Sequence, residues 1–190
     1  MRCILASTSP RRKELFSYIC KEFDVIAPSY TEKPYEGSKI ESYVLSQAKG
    51  KLDSVSVNAD IVVASDTVVY LPSSDMVLGK PRDKDDAFHM LKLLMGRTHH
   101  VITGVAIKAR GDVKLIHEIT QVKFRIVPNS FIMEYVSTGS PLDKAGAYGI
   151  QDPYGAILVE SIVGDYYNVV GFPVGRVWEV LSPYITASFK

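Results

Sequence analysis

The chain is poor in cysteine. Only Cys3 and Cys20 occur in 190 residues, which excludes the disulfide framework of a small secreted domain and points to reduced thiols in a cytosol. Long apolar runs are missing as well. The first, Cys3 to Ala6, is too short for a signal-peptide core, with Arg11, Arg12 and Lys13 close behind it. No later stretch approaches the roughly 20 apolar residues that span a bilayer, so a cytoplasmic protein without a membrane partner is expected. Neither sign of charge dominates: 22 Lys plus Arg stand against 21 Asp plus Glu. That balance argues against a stable nucleic-acid partner, even one gripped by Arg11-Arg12-Lys13, and any affinity for phosphate must be local. His89, His99, His100 and His117 have no partners at zinc spacing. There is no Walker loop, nucleophile elbow, internal repeat, low-complexity tract or linker.

What remains is an ordinary globular composition, 46% hydrophobic and 23% charged, long enough to bury a core in one domain or two packed lobes. A strand from Arg2 to Ala6 runs into a helix from about Arg11 to Ile19, with Ser9 as N-cap and Pro10 at the first helical position. Phe23 to Ala27 reads as a second strand. Ser38-Lys39-Ile40-Glu41 has the form of a capping box for a helix from Lys39 to about Leu52. Asp60 to Tyr70 is Val- and Ile-rich extended structure, with a turn or strand end expected at Ser65-Asp66-Thr67. A helix begins near Asp83, its apolar positions Ala87, Met90, Leu91 and Leu94 spaced i, i+3, i+4, i+7, and Gly96 closes it. His99 to Lys108 and Val113 to Val127 form a hairpin about Arg110-Gly111-Asp112. A helix follows from Asn129 to Ser137, then a strand from Gly155 to Val163, and a last helix starts at Pro173. Helices alternating with strands, plus one long hairpin, define a mixed α/β class.

Several polar residues stand where chemistry needs them. Arg11 and Arg12 fall in the first turn of a helix that follows a strand, a position unfavourable to cations unless an anion compensates. With the hydroxyls of Ser7, Thr8 and Ser9 and the free N–H groups, they form a candidate phosphate site; pairing with Glu14 and Glu22, or solvent exposure, is the alternative. Asp66 ends an apolar run and is open to three readings: magnesium ligand, base acting on water, or turn residue. Glu32, in a polar loop, is a second candidate metal ligand or a solvated surface residue. Lys80, held between Gly79 and Pro81, could be aimed at a phosphate or sit in a surface turn. Lys49 lies late in its helix, where the C-terminal dipole already explains a cation. The Gly-rich segment Asp143 to Gln151 allows close approach to a flat ligand, and Gln151 carries both donor and acceptor for a pyrimidine edge. Asp165-Tyr166-Tyr167-Asn168 is open between packing and a dimer contact.

Taken in order, Leu5-Ala6-Ser7-Thr8-Ser9-Pro10-Arg11-Arg12, Glu32, Ala48-Lys49, Ser65-Asp66-Thr67-Val68-Val69, Gly79-Lys80-Pro81, Gly96-Arg97-Thr98-His99, Asp143 to Gln151, and Asp165 to Gly171 resemble the Maf family of house-cleaning nucleotide pyrophosphatases. That family is distantly related to the inosine triphosphate pyrophosphatases. The resemblance implies a single Maf-like domain over residues 1–190, with a mixed twisted sheet flanked by helices and two lobes about a central cleft. It implies a divalent cation, Mg²⁺ or Mn²⁺, held by Glu32 and Asp66, and hydrolysis between the α- and β-phosphates with Asp66 as proton acceptor. Lys49 and Lys80 join Asp66 in the catalytic set, and Ser7, Arg11, Arg12, Thr67 and Gln151 bind substrate. Arg11, Thr67 and Gln151 look like the specificity set of the branch acting on dTTP and UTP, modified pyrimidine nucleotides included, rather than the 7-methyl-GTP branch. A homodimer is also implied. An ordinary aspartate, with a pKa of about 3.9, is a weak base near neutrality, and metal-bound water offers one remedy. Three positions depart from the family pattern: Ser140 where Glu is usual, Met95 before Gly96, and Asp152-Pro153 where Gly follows the glutamine. An altered loop near the base is therefore expected. The competing class is a nucleotide-binding regulator of cell division without turnover.

Overall fold

The computed structural model describes residues 1–185. Its elements run β1 (Cys3–Ala6), α1 (Pro10–Ser17), β2 (Asp24–Ile26), α2 (Ile40–Asp53), β3 (Ile61–Leu71), β4 (Met76–Leu78), α3 (Lys84–Leu94), β5 (Thr98–Ala109), β6 (Asp112–Phe124), α4 (Asn129–Ser137), α5 (Pro153–Leu158), β7 (Val159–Val163), α6 (Tyr166–Val170) and α7 (Val174–Leu181). The strands hydrogen-bond in the order β2-β1-β3-β5-β6-β7, with β4 on β3. β1 is parallel to β2 and β3, whereas β4 and β7 are antiparallel to their neighbours. This is the mixed α/β class that the alternation of helices and strands implied, with the mixed sheet flanked by helices that the resemblance implied.

Three local expectations are corrected. β3 continues unbroken through Ser65-Asp66-Thr67, because the Asp66 carboxylate and the Thr67 hydroxyl find partners inside the protein and no turn is needed to reach water. Gly155 to Leu158 belongs to α5, started by Pro153, and only the stretch from Val159 is strand. Ser38 does not cap α2; the N-cap position falls on Lys39, with no side-chain cap bond. At α1, by contrast, Ser9 accepts from the Arg12 amide and Pro10 opens the helix. The β5–β6 hairpin turns on Arg110 and Gly111, with φ of 51° and 97°, the left-handed pair that matches the twist of two antiparallel strands.

By compactness the chain forms two units. One comprises Met1–Thr67, Thr103–Glu118 and the chain from Gly171 onward; the other comprises Val68–Ile102 and Ile119–Val170. In the first, alternation along the strands sorts the side chains. Ile4, Ala6, Val62, Ala64 and Ala106 pack with Ala48 and Leu52 of α2. The small residues on that face let the helix come close: a Cβ on Gly104 of β5 would lie 2.5 Å from the Val44 carbonyl oxygen, so only glycine fits beneath α2. In the second unit, Leu91 and Leu94 of α3, Ile132 and Tyr135 of α4, and Val122 and Phe124 of β6 enclose one apolar core. Burying each such side chain contributes about 1.5–3 kcal/mol. His99 is enclosed there against Phe124 and Tyr148.

Candidate active site

The first unit assembles a charged cluster from α2, β3 and the loop after β2. The buried stripe of α2 includes Val44, Gln47, Ala48 and Lys51, the i, i+3, i+4, i+7 spacing of a packed face, and two of its four members are polar. Gln47 clamps the loop: its Oε1 accepts from the Lys33 amide at 3.1 Å and its Nε2 donates to the Lys33 carbonyl at 2.9 Å. Tyr43 donates to the same carbonyl at 2.8 Å. Glu32 is thereby fixed beside Lys51, whose Nζ donates to Glu32 Oε1 at 2.6 Å and to Asp66 Oδ1 at 2.5 Å. Asp66 lies on the α2 face of β3 and is buried with Lys51, whereas the Glu32 side chain is 62% exposed. Two carboxylates thus converge on one cation, one from the interior and one from solvent.

The opposite face of β3 carries a second network. Arg12, partly buried, donates Nη1 to the Ser65 carbonyl at 2.8 Å, Nε to the Gly171 carbonyl at 3.1 Å and Nη2 to Thr67 Oγ1 at 3.0 Å. Burial lowers its guanidinium pKa, and the field of Asp66 opposes the shift. Thr67 Oγ1 is also 2.9 Å from Thr103 Oγ1 and 3.2 Å from the Gly171 carbonyl. Arg12 therefore spends donors on fixing β3 and Thr67. Ser7 is buried and accepts from the Ser9 amide at 3.2 Å, shaping the turn into α1 that carries the partly buried Arg11.

Of the residues singled out from sequence, Ser7, Arg11, Arg12, Glu32, Lys49, Asp66 and Thr67 lie in the first unit, and Lys80 and Gln151 in the second. Lys49 turns away from Asp66 and pairs with Asp53 at 2.6 Å, one turn along α2. Lys51, passed over in the sequence, is the lysine on Asp66; the signal for it was a lysine at helical spacing from Val44 and Ala48. In the second unit Lys80 is exposed, and its preceding Gly79 carbonyl accepts from the Gly146 amide at 3.0 Å. That bond ties the lysine's segment to the Gly-rich loop, at whose end Gln151 is exposed.

Among the described residues no three His, Cys, Asp or Glu side chains group as a protein-only metal cage. Magnesium does not need one, being held typically through one or two carboxylates with phosphate oxygens and water completing the octahedron. Glu32 and Asp66 fit that pattern, with the Lys51 ammonium marking the point on which their oxygens converge.

The fold by itself defines a class, a mixed α/β sheet flanked by helices. A HAM1 protein from Coxiella burnetii has a similar fold, with a TM-score of 0.52 at 13% identity over 96% of this chain and 99% of that one. At that identity the likeness concerns the fold alone. The chain belongs to the Maf-like protein family, whose model matches residues 2–184. Similar relatives include the dTTP/UTP pyrophosphatases of Thermosipho africanus, 45% identical over 95% of this chain and 92% of that protein, and of Clostridium beijerinckii, 46% identical over 93% and 95%. That of Clostridioides difficile is 44% identical over 98% and 96%.

Proposed function

We propose that this chain is a nucleoside triphosphate pyrophosphatase that hydrolyses dTTP and UTP to the nucleoside monophosphate and pyrophosphate. The observation that carries the reading is the Glu32–Lys51–Asp66 cluster in a chain whose relatives at about this identity bear that activity in their names. Water attacks the α-phosphorus in line, the bond from that phosphorus to its bridging oxygen breaks, and pyrophosphate departs. The Asp66 carboxylate takes the water's proton, and the bond from Lys51 Nζ to Oδ1 holds that carboxylate in place. Glu32 and Asp66 would hold a Mg²⁺ or Mn²⁺, which would supply Lewis-acid stabilisation of the developing phosphate charge. Ser7 and Arg11 at the start of α1 bind phosphate oxygens, and in the second unit Lys80 is assigned a contact of the same kind. Arg12 holds Thr67 in place for substrate selection, and Gln151 reads the pyrimidine edge.

No helix among the described residues is long and apolar enough to cross a membrane. Cytoplasmic residence and a homodimeric assembly belong to the same reading, the second testable by sedimentation. The deciding experiment is a panel of nucleoside triphosphates, 7-methyl-GTP included, with magnesium or manganese. The expected products are monophosphate and pyrophosphate, released fastest from dTTP and UTP. Release of orthophosphate, or binding without turnover, would overturn the reading.

A further inference from the structure

Asp152 occupies the N-cap position of α5, just before Pro153, yet its side chain makes no cap hydrogen bond. Aspartate is among the strongest N-cap residues because its carboxylate accepts from the free amides of the first turn. Here the carboxylate is drawn elsewhere. Oδ2 accepts from the Tyr135 hydroxyl at 2.7 Å and from Ser140 Oγ at 2.8 Å, and Lys144 Nζ stands 3.5 Å away. Burial and the bond to Asp152 raise the Tyr135 pKa, so the phenol stays a donor. Lys144 is itself buried and donates to the Ser140 carbonyl at 2.6 Å and to Asp143 at 2.9 Å. The Asp143 side chain is 57% exposed and that of Asp152 16%, so Asp152 is the carboxylate that accompanies this ammonium into the interior.

All of these groups bear on one short stretch of backbone. The Gly149 amide donates to the Tyr135 hydroxyl at 3.1 Å, and the Gly149 carbonyl accepts from the Asp152 amide at 3.0 Å. A Cβ on Gly149 would meet Lys144 Cε at 2.7 Å and Asp152 Cγ at 3.0 Å, and one on Gly155 would strike the Gly149 carbonyl oxygen. Gly146 to Ile150 are buried and the next residue, Gln151, is exposed: a free carboxamide on a fixed platform. A carboxamide carries a donor and an acceptor side by side. Uracil and thymine offer an N–H beside a carbonyl, and cytosine a bare nitrogen beside an amino group. Turning the amide over satisfies either, so discrimination depends on where the carboxamide sits against the base, and that is set by the backbone that carries it.

We propose that Asp152 is a positioning residue for base recognition, its carboxylate tying Tyr135, Ser140 and Lys144 beneath Gly149 so that the backbone carrying Gln151 is held in one place. This rests on the reading of Gln151 given above. Ser140 and Asp152, two positions at which the chain departs from its family's pattern, are in direct contact. A glutamate at 140 would bring a carboxylate to the same ammonium, which makes S140E a rescue for the loss of Asp152.

The test uses the full chain as wild type, Asp152→Ala, and Asp152→Ala with Ser140→Glu. It compares kcat/KM for UTP and CTP and follows hydrogen exchange over residues 145–151. In Asp152→Ala the UTP-to-CTP ratio falls about tenfold, chiefly through KM for UTP, and the Gly149 amide exchanges faster. The double variant regains both. Asp152→Asn, which keeps shape while withdrawing charge from Lys144, carries the same direction of change and serves if the alanine variant does not fold. A wild type that discriminates alongside an Asp152→Ala or Asp152→Asn variant that discriminates equally overturns the proposal alone, as does exchange that recovers in the double variant without the ratio. A wild type with no preference between the two nucleotides refutes the reading of Gln151 and removes the proposal with it.

Discussion

Replacing Lys51 by methionine removes the ammonium that joins Glu32 to Asp66 and keeps an aliphatic side chain on the buried face of α2. The Lys51 and Asp66 side chains are 11% and 9% exposed, against 62% for Glu32. Taking one partner from a buried ion pair costs about 3–5 kcal/mol, because the charge left behind is stranded. Glu32 stays hydrated and adds little, so the loss is set by Asp66 alone and should fall near the lower end, about 3 kcal/mol. At this chain length that corresponds to a Tm lowered by roughly 6–12 °C. Urea unfolding followed by the fluorescence of Trp178, the sole tryptophan, measures it directly. Millimolar Mg²⁺ should restore part of the loss, and more in the variant than in the parent, since two carboxylates without an ammonium between them accept a cation more readily. Pyrophosphate release should drop on the order of 10²-fold. A Lys51→Met protein as stable as its parent, indifferent to Mg²⁺ and fully active would refute the assignment of Lys51 as the charge that organises these carboxylates.

Asp66→Ala should lower pyrophosphate release from dTTP and UTP by about 10³-fold with an unchanged far-ultraviolet dichroism spectrum; undiminished turnover would take Asp66 out of the chemistry. Burial chiefly, with the nearby His100, lowers the His99 pKa from 6.5 to about 3. Between those values the unfolded chain binds a proton that the folded chain does not, so stability is full above pH 6.5 and is lost progressively as pH falls. The loss reaches about 2–3 kcal/mol near pH 4.5, and His99→Gln should flatten the slope of stability against pH by about one proton over that window. An identical slope would place His99 outside the linkage. Gly104→Ala drives a methyl against the Val44 carbonyl and should cost about 2–3 kcal/mol in a urea titration; a neutral effect would mean that α2 can lift from β5.

The fold class was legible because alternation and helical spacing survive in most elements, as at α1, with Ser9 and Pro10, and at α3, with its i, i+3, i+4 pattern. What escaped the sequence has a common cause: the partners of these polar residues lie far along the chain and are brought to them by the fold. Ser65-Asp66-Thr67 looked like a turn, but Lys51, Arg12 and Thr103 supply partners inside the sheet. Lys49 and Lys51 differ by two residues and hence by about 200° around α2. Only the packing of Val44 and Ala48 decides which of them faces Asp66. The guanidinium of Arg12, expected on an anion, holds backbone carbonyls that no local pattern could reveal. Asp152 stood out in the sequence only as a departure from the family pattern, and its contacts with Tyr135, Ser140 and Lys144 depend on residues brought alongside it by the fold.

Because β3 runs straight through Asp66 and Thr67, neighbouring residues serve opposite sides of one sheet: the carboxylate meets Lys51 while the hydroxyl meets Arg12. The pleat acts as a ruler graduated in single residues. Inserting or deleting one amino acid between Val63 and Asp66 would exchange the two duties, sending acid to the guanidinium side and hydroxyl to the lysine. Evolution can vary the side chains along this strand, but it cannot alter their number there without dismantling both networks at once.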